Sequence, residues 1–247
     1  MVIAWLMFAL LTPNPAGGQS LSGRLATAPD GSVRFSFAAR PGVCGNGRNI
    51  SSGRNDRDWE SDCDAGPVRV AMTVRSHRVT ALRTYVGGRW RTGEGTVTDW
   101  GTVSASGAVD FLLTLTRTLD AGIADNAVFP VTLADSVTPW PAMLALARDG
   151  SLRTQTRKQV VFWLGQAAGD AATKGLDSLL ADKNGDREIQ EQAVFALSQR
   201  PKDEGIPALV RVARTHADPS VREKAIFWLG QSDDPRAIVL FEELLLK

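Results

Sequence analysis

Several stretches of this 247-residue chain carry residue types that metal or catalytic sites use, and each can be held against the spacing its chemistry demands. Asp182-Lys-Asn-Gly-Asp-Arg-Glu-Ile189 opens like a calcium loop, with oxygen ligands at the first, third and fifth positions. The sixth position needs a glycine for the sharp turn and holds Arg187; the twelfth needs a bidentate carboxylate and holds Ala193. A polar turn leading into a helix cap fits those residues better. A second acidic run, Asp56, Asp58, Glu60, Asp62 and Asp64 around Trp59, matches no glycine-turn template and reads as a solvated loop. The two histidines, His77 and His216, stand beside no nucleophile motif, and neither a His-Glu-x-x-His pair nor a phosphate-binding glycine loop occurs. The expectation is therefore no catalytic residue, no metal site and no cofactor.

Three other groups have chemistry to offer. Cys44 and Cys63 bracket a polar loop, and an even count in an exported chain favours one disulfide between them. From Ala65 to Gly93 there are six arginines, among them Arg75, Arg78 and Arg83, and no acid. On paired strands alternate arginines project from one face, where they either meet the neighbouring acidic loop or an anionic partner. Trp163 and Trp228 are candidate partner-binding residues, because a partly exposed tryptophan is a common interface anchor.

Elements must position these groups. A composition of 43% hydrophobic and 22% charged residues excludes a mostly disordered chain, and a net charge of +1 gives no global field toward nucleic acid. Val2 to Leu11 is continuously apolar and is followed by prolines and small residues, so residues 1–18 read as a signal peptide, too short to span a membrane. Residues 19–103 read as a small antiparallel β module. Ser32 to Ala38 alternates in the manner of a half-buried strand, and Val68–Arg75 and Val79–Val86 flank the polar turn Ser76-His77-Arg78.

Residues 104–247 repeat. Phe129, Phe162, Phe195 and Phe227 fall 33, 33 and 32 residues apart, and Pro141–Arg148 matches Pro207–Arg214 at an offset of 66. Two interleaved series at one period describe two helices per unit, stacked as a solenoid because one pair cannot bury its own apolar face. The four phenylalanines, with Leu164, Leu197 and Leu229, are the expected repeat core. Asp218-Pro-Ser-Val-Arg222 through Ala225 to Leu229-Gly230 resembles the HEAT-repeat family, including its short lyase-type repeats. The resemblance implies a mostly α, α-α superhelical fold, a non-enzymatic scaffold and a protein partner. It also implies an Asp–Arg ladder between repeats, kept by Arg157 and interrupted at Gln190. Together these readings describe an exported, monomeric protein-interaction scaffold. The alternative is an accessory, lyase-like factor that takes an anionic ligand on the arginine-rich sheet.

Overall fold

The computed structural model describes residues 19–51, 63–90, 96–166 and 170–246. The apolar leader and the acids from Asp56 to Asp62 lie outside them. After a short helix α1 (Leu21–Ala26) come strands β1 (Gly31–Phe37), β2 (Cys44–Gly45), β3 (Ile50–Ser51), β4 (Asp64–Ala65), β5 (Val68–Arg75), β6 (Arg78–Val86) and β7 (Val97–Thr102). Among the described residues nine helices follow: α2 (Ala105–Thr118), α3 (Ala121–Val131), α4 (Trp140–Arg148), α5 (Thr154–Gln166), α6 (Asp170–Leu180), α7 (Arg187–Ser198), α8 (Lys202–Thr215), α9 (Pro219–Gly230) and α10 (Pro235–Leu245).

The main sheet has the order β6-β5-β1-β7. The β5–β6 hairpin closes through Ser76 and His77 alone, both at positive φ (48° and 59°), as a two-residue turn matched to strand twist requires. Arg78, expected in the turn, is the first residue of β6, opposite Arg75. The expectation of a purely antiparallel module is corrected, because β7 pairs with β1 in parallel. Alternation and turn residues reveal hairpins, but nothing in them marks a strand that arrives by a crossover. Val33, Phe35 and Phe37 on β1 and Val68, Val70, Met72 and Val74 on β5 bury one face of the sheet. The opposite face carries the intervening polar residues.

Cys44 and Cys63 are joined, with their Cα atoms 5.3 Å apart, beside the small sheet β3-β2-β4. The bond closes a loop of sequence separation 19. Reduction should cost about 3 kcal/mol on chain entropy, seen as a lower thermal midpoint with reductant than without. The small sheet abuts the end of β6 at Gly87, whose φ is +64° and where any Cβ would run into the Gly45 carbonyl.

The helices alternate between two layers. α3, α5, α7 and α9 pack against one another in sequence, and α4, α6 and α8 form the second layer with α10 against α8. Caps begin them as the residues allow: Ser104, Asp186, Asp218 and Asp234 each accept a backbone N–H of the first turn. Met143, Leu146, Leu164, Leu176, Leu197, Leu209 and Leu229 are fully buried between the layers. The buried cluster is continuous from Leu21 in the sheet region to Leu240 in α10. Two backbone bonds, Arg40 N to Leu133 O at 2.9 Å and Asp135 N to Ala38 O at 3.0 Å, stitch the end of β1 to the α3–α4 connection.

The phenylalanines are not the centre of that core. Phe227 is 54% exposed, and Phe129, Phe162 and Phe195 are only partly buried. Successive helix residues are rotated by about 100°, so Phe, Trp and Leu at three consecutive positions cannot all point inward. The leucine takes the inner direction in each repeat. Phe227 is the most open of the four, and the aromatic ring it meets among the described residues is Trp228 of its own helix.

Candidate functional site

A cleft of about 1180 Å³ opens between the sheet and the first repeats. One wall is β6, contributing Thr80 to Tyr85 without a break; the other comes from α3 (Ile123, Asp125, Asn126, Phe129) and α5 (Gln159, Trp163). Gly47 to Ile50 closes one end. The walls meet because β6 packs directly on α3, so the sheet occupies the position that a preceding repeat would take.

An aromatic ladder leads away from the cleft along the α3-α5-α7-α9 layer. Ring centroids of Phe129 and Trp163 lie 4.5 Å apart, Trp163 and Phe162 4.9 Å, Phe162 and Phe195 6.2 Å, Phe195 and Trp228 5.0 Å, and Trp228 and Phe227 5.1 Å. These distances are those of favourable aromatic pairs. Ala196 interrupts the tryptophan series for a steric reason: a Cβ on Gly165 would lie only 2.7 Å from the Ala196 methyl, so α5 and α7 approach too closely for a larger residue. The indole N–H groups of Trp163 and Trp228 and Asp125 Oδ1 are buried without a partner among the described residues. Burial pushes the Asp125 carboxyl above its ordinary range, with the charge of Arg153 acting against the rise.

On the outer face of the sheet, strand register sets Arg83 opposite Ala71, Tyr85 opposite Arg69, and Arg78 opposite Arg75. Arg34 pairs with Asp99 at 2.8 Å, and Trp90 lies over Arg34 and Arg69 at 5.0 and 5.8 Å. The backbone N–H of Gly101, together with Arg34, holds Asp99 below the usual carboxylate range. Among the described residues no carboxylate pairs with Arg75, Arg78 or Arg83.

The cleft thus gathers Trp163 and Arg83, residues 80 positions apart in the chain. It does not gather Trp228, which lies further along the ladder, or Arg75 and Arg78 at the hairpin end. Asp125, Asn126 and Gln159 were not singled out by sequence reasoning. A signal for the first two exists: they are the polar pair inside the otherwise apolar Ala121–Val131.

The carboxylates of the calcium-like segment have structural uses. Asp182 Oδ1 accepts the Asn184 N–H at 3.0 Å, and Asp186 caps α7 while accepting Arg157 Nη1 at 2.9 Å. Arg157 also donates to Ala147 O at 2.9 Å, so one buried guanidinium ties three consecutive repeats. The rung is absent one repeat on, where Gln190 turns back to Asp182 O at 2.8 Å. His216 takes the vacated place. Its Nδ1 accepts the Asp218 N–H at 3.2 Å, which puts the proton on Nε2 to donate to Leu180 O at 3.1 Å.

The last cap gives a pH effect of defined sign. Asp234 accepts Arg236 through both carboxylate oxygens at 2.8 Å, and this pairing lowers its pKa from 3.8 to about 2. A carboxyl depressed in the folded chain contributes stability above pH 3.8 and loses it as pH falls toward 2. Acid titration followed by circular dichroism should show this loss, and Asp234→Asn should flatten it.

Two layers of antiparallel helix pairs, held by a buried leucine seam and inter-repeat polar rungs, define an α-solenoid. Comparison with known families matches residues 176–247 to HEAT repeats, and the paired helices from α7 to α10 within that stretch are those repeats. No curated protein matches the chain. Among the described residues, no helix is long and apolar enough to cross a membrane.

Proposed function

We propose that this chain is an exported, non-enzymatic scaffold that holds a protein partner in the cleft between β6 and the first repeats. The cleft carries the reading: a large open trough places partly buried aromatic rings beside an exposed arginine and polar groups without partners among the described residues. That mixture is typical of protein interfaces, where tryptophan and arginine anchors dominate the binding energy. The HEAT repeats support it, since stacked helix pairs commonly serve as binding surfaces. The apolar Val2–Leu11 and the Cys44–Cys63 bond support export, as disulfides persist in oxidising compartments. Retention of Met1 on the purified native protein would overturn the export reading.

A photo-crosslinker at Asn126 in the full chain should capture a stoichiometric protein. Trp163→Ala should weaken that capture by about thirtyfold, the scale of an interface hot spot, whereas Arg75→Ala should not. Absence of any stoichiometric protein would sink the scaffold reading; capture unaffected by Trp163→Ala would move the site elsewhere. The second reading, an anionic ligand on the sheet, draws on Arg75, Arg78 and Arg83, with which no carboxylate among the described residues pairs. It requires Arg75→Ala and Arg78→Ala to abolish binding and the binding to collapse with added salt.

A further inference from the structure

β6 is an edge strand, and its free edge runs along the cleft. In a strand, the N–H and C=O of one residue point to the same side, and the side alternates with each residue. Val86 O accepts the Gly47 N–H at 3.0 Å, so the backbone groups of Val86 point away from β5. By alternation those of Thr84 and Leu82 also point outward, while Arg83 and Tyr85 bond to β5. Among the described residues no other backbone group reaches Thr84 or Leu82 from the open side. Among the described residues, the protein's own Gly47 therefore occupies only the end of that edge.

The two sides of that edge differ in chemistry. Arg83 lies on the sheet's outer face with Arg69, Arg75 and Arg78. Leu82 and Thr84 lie on the helix-facing side with Met72 and Val70, and the cleft wall there is Phe129, Trp163 and Asp125. We propose that a partner's extended segment, alternating acidic and apolar residues, adds to β6 as a fifth strand in this cleft. Its acidic side chains face Arg83 and its apolar side chains face Phe129 and Trp163. This rests on the protein-binding reading and specifies how the partner is held. Strand addition draws affinity from backbone bonds and specificity from alternate side chains, which matches an edge with one cationic and one aromatic flank. Six residues extend about 20 Å, the run from Thr80 to Tyr85. The cavity of about 1180 Å³ exceeds the usual small-molecule pocket and suits a chain segment.

The probe is fluorescein-labelled Glu-Val-Glu-Val-Glu-Val, read by anisotropy against the full chain. Saturable binding is expected, about tenfold or more weaker for the Lys-Val counterpart and abolished when alternate backbone amides are N-methylated. Thr84→Pro deletes an outward N–H without touching the β5 ladder, as edge strands allow, and should weaken binding by about tenfold. Arg83→Glu, on an exposed side chain, should reverse the preference toward the Lys-Val peptide even if the proline variant does not fold. Equal binding of the N-methylated peptide, or an unchanged preference in Arg83→Glu, overturns strand addition. Failure of the peptide while the Asn126 crosslink and its Trp163 dependence persist would reject this mode and leave the scaffold reading standing. Loss of the crosslinked partner as well would reject both.

Discussion

Leu197→Ala should destabilise the chain by about 3–4 kcal/mol, while Phe227→Ala should change its stability by less than about 1 kcal/mol. Both residues belong to the same repeating sequence pattern, and size alone would rank them the other way. Leu197 is fully buried in the last turn of α7, which packs between α5 and α9 and against the second layer, so truncation leaves a cavity that the surrounding helices cannot fill. Phe227 is 54% exposed and loses mainly its edge-on contact with Trp228. Chemical denaturation of the two variants, compared at constant slope, separates them.

Arg200→Ala should cost about 3–5 kcal/mol. Its side chain is 2% exposed and reaches Gly165 O at 3.2 Å, Thr173 Oγ1 at 3.0 Å and Glu204 Oε2 at 2.8 Å, so it joins α5, α6 and α8. Removing it takes the guanidinium from the Glu204 carboxylate, which keeps the Thr173 hydroxyl, and takes a donor from the Gly165 carbonyl. The double variant Arg200→Met with Glu204→Leu should recover only part of the loss, because the carboxylate that lost its guanidinium goes while the Gly165 carbonyl is still without the Arg200 donor. A thermal midpoint as low in the double variant as in the single one would contradict this account.

The period was legible because phenylalanine recurs at one helix position, and the units were bounded by proline and glycine in the places helix ends allow. What spacing could not show was which side of that position faces inward. Phe162, Trp163 and Leu164 are adjacent, so a pattern of large apolar residues marks the helix without choosing among its directions. The break in the arginine ladder at Gln190 was visible as a substitution; the histidine that spans the gap was not, because His216 stands 26 residues further along. The cleft was legible only in pieces. Arg83 belongs to a strand signal and Trp163 to a helix signal, and their meeting depends on β6 lying against α3, a packing choice that no local pattern encodes. The parallel partnership of β1 and β7 escaped for the same reason.

The continuous buried cluster makes the two ends of the solenoid unequal. At one end the sheet covers α3 and is bound to it through Arg40, Leu133, Ala38 and Asp135. At the other, Ile238, Val239, Leu245 and Leu246 are open to solvent and α10 rests mainly on α8. In a stack where each layer is steadied by its neighbours, α3 is steadied by β6 on one side and by α5 on the other. The cleft is therefore built on a layer held from both sides, which keeps its two walls in register.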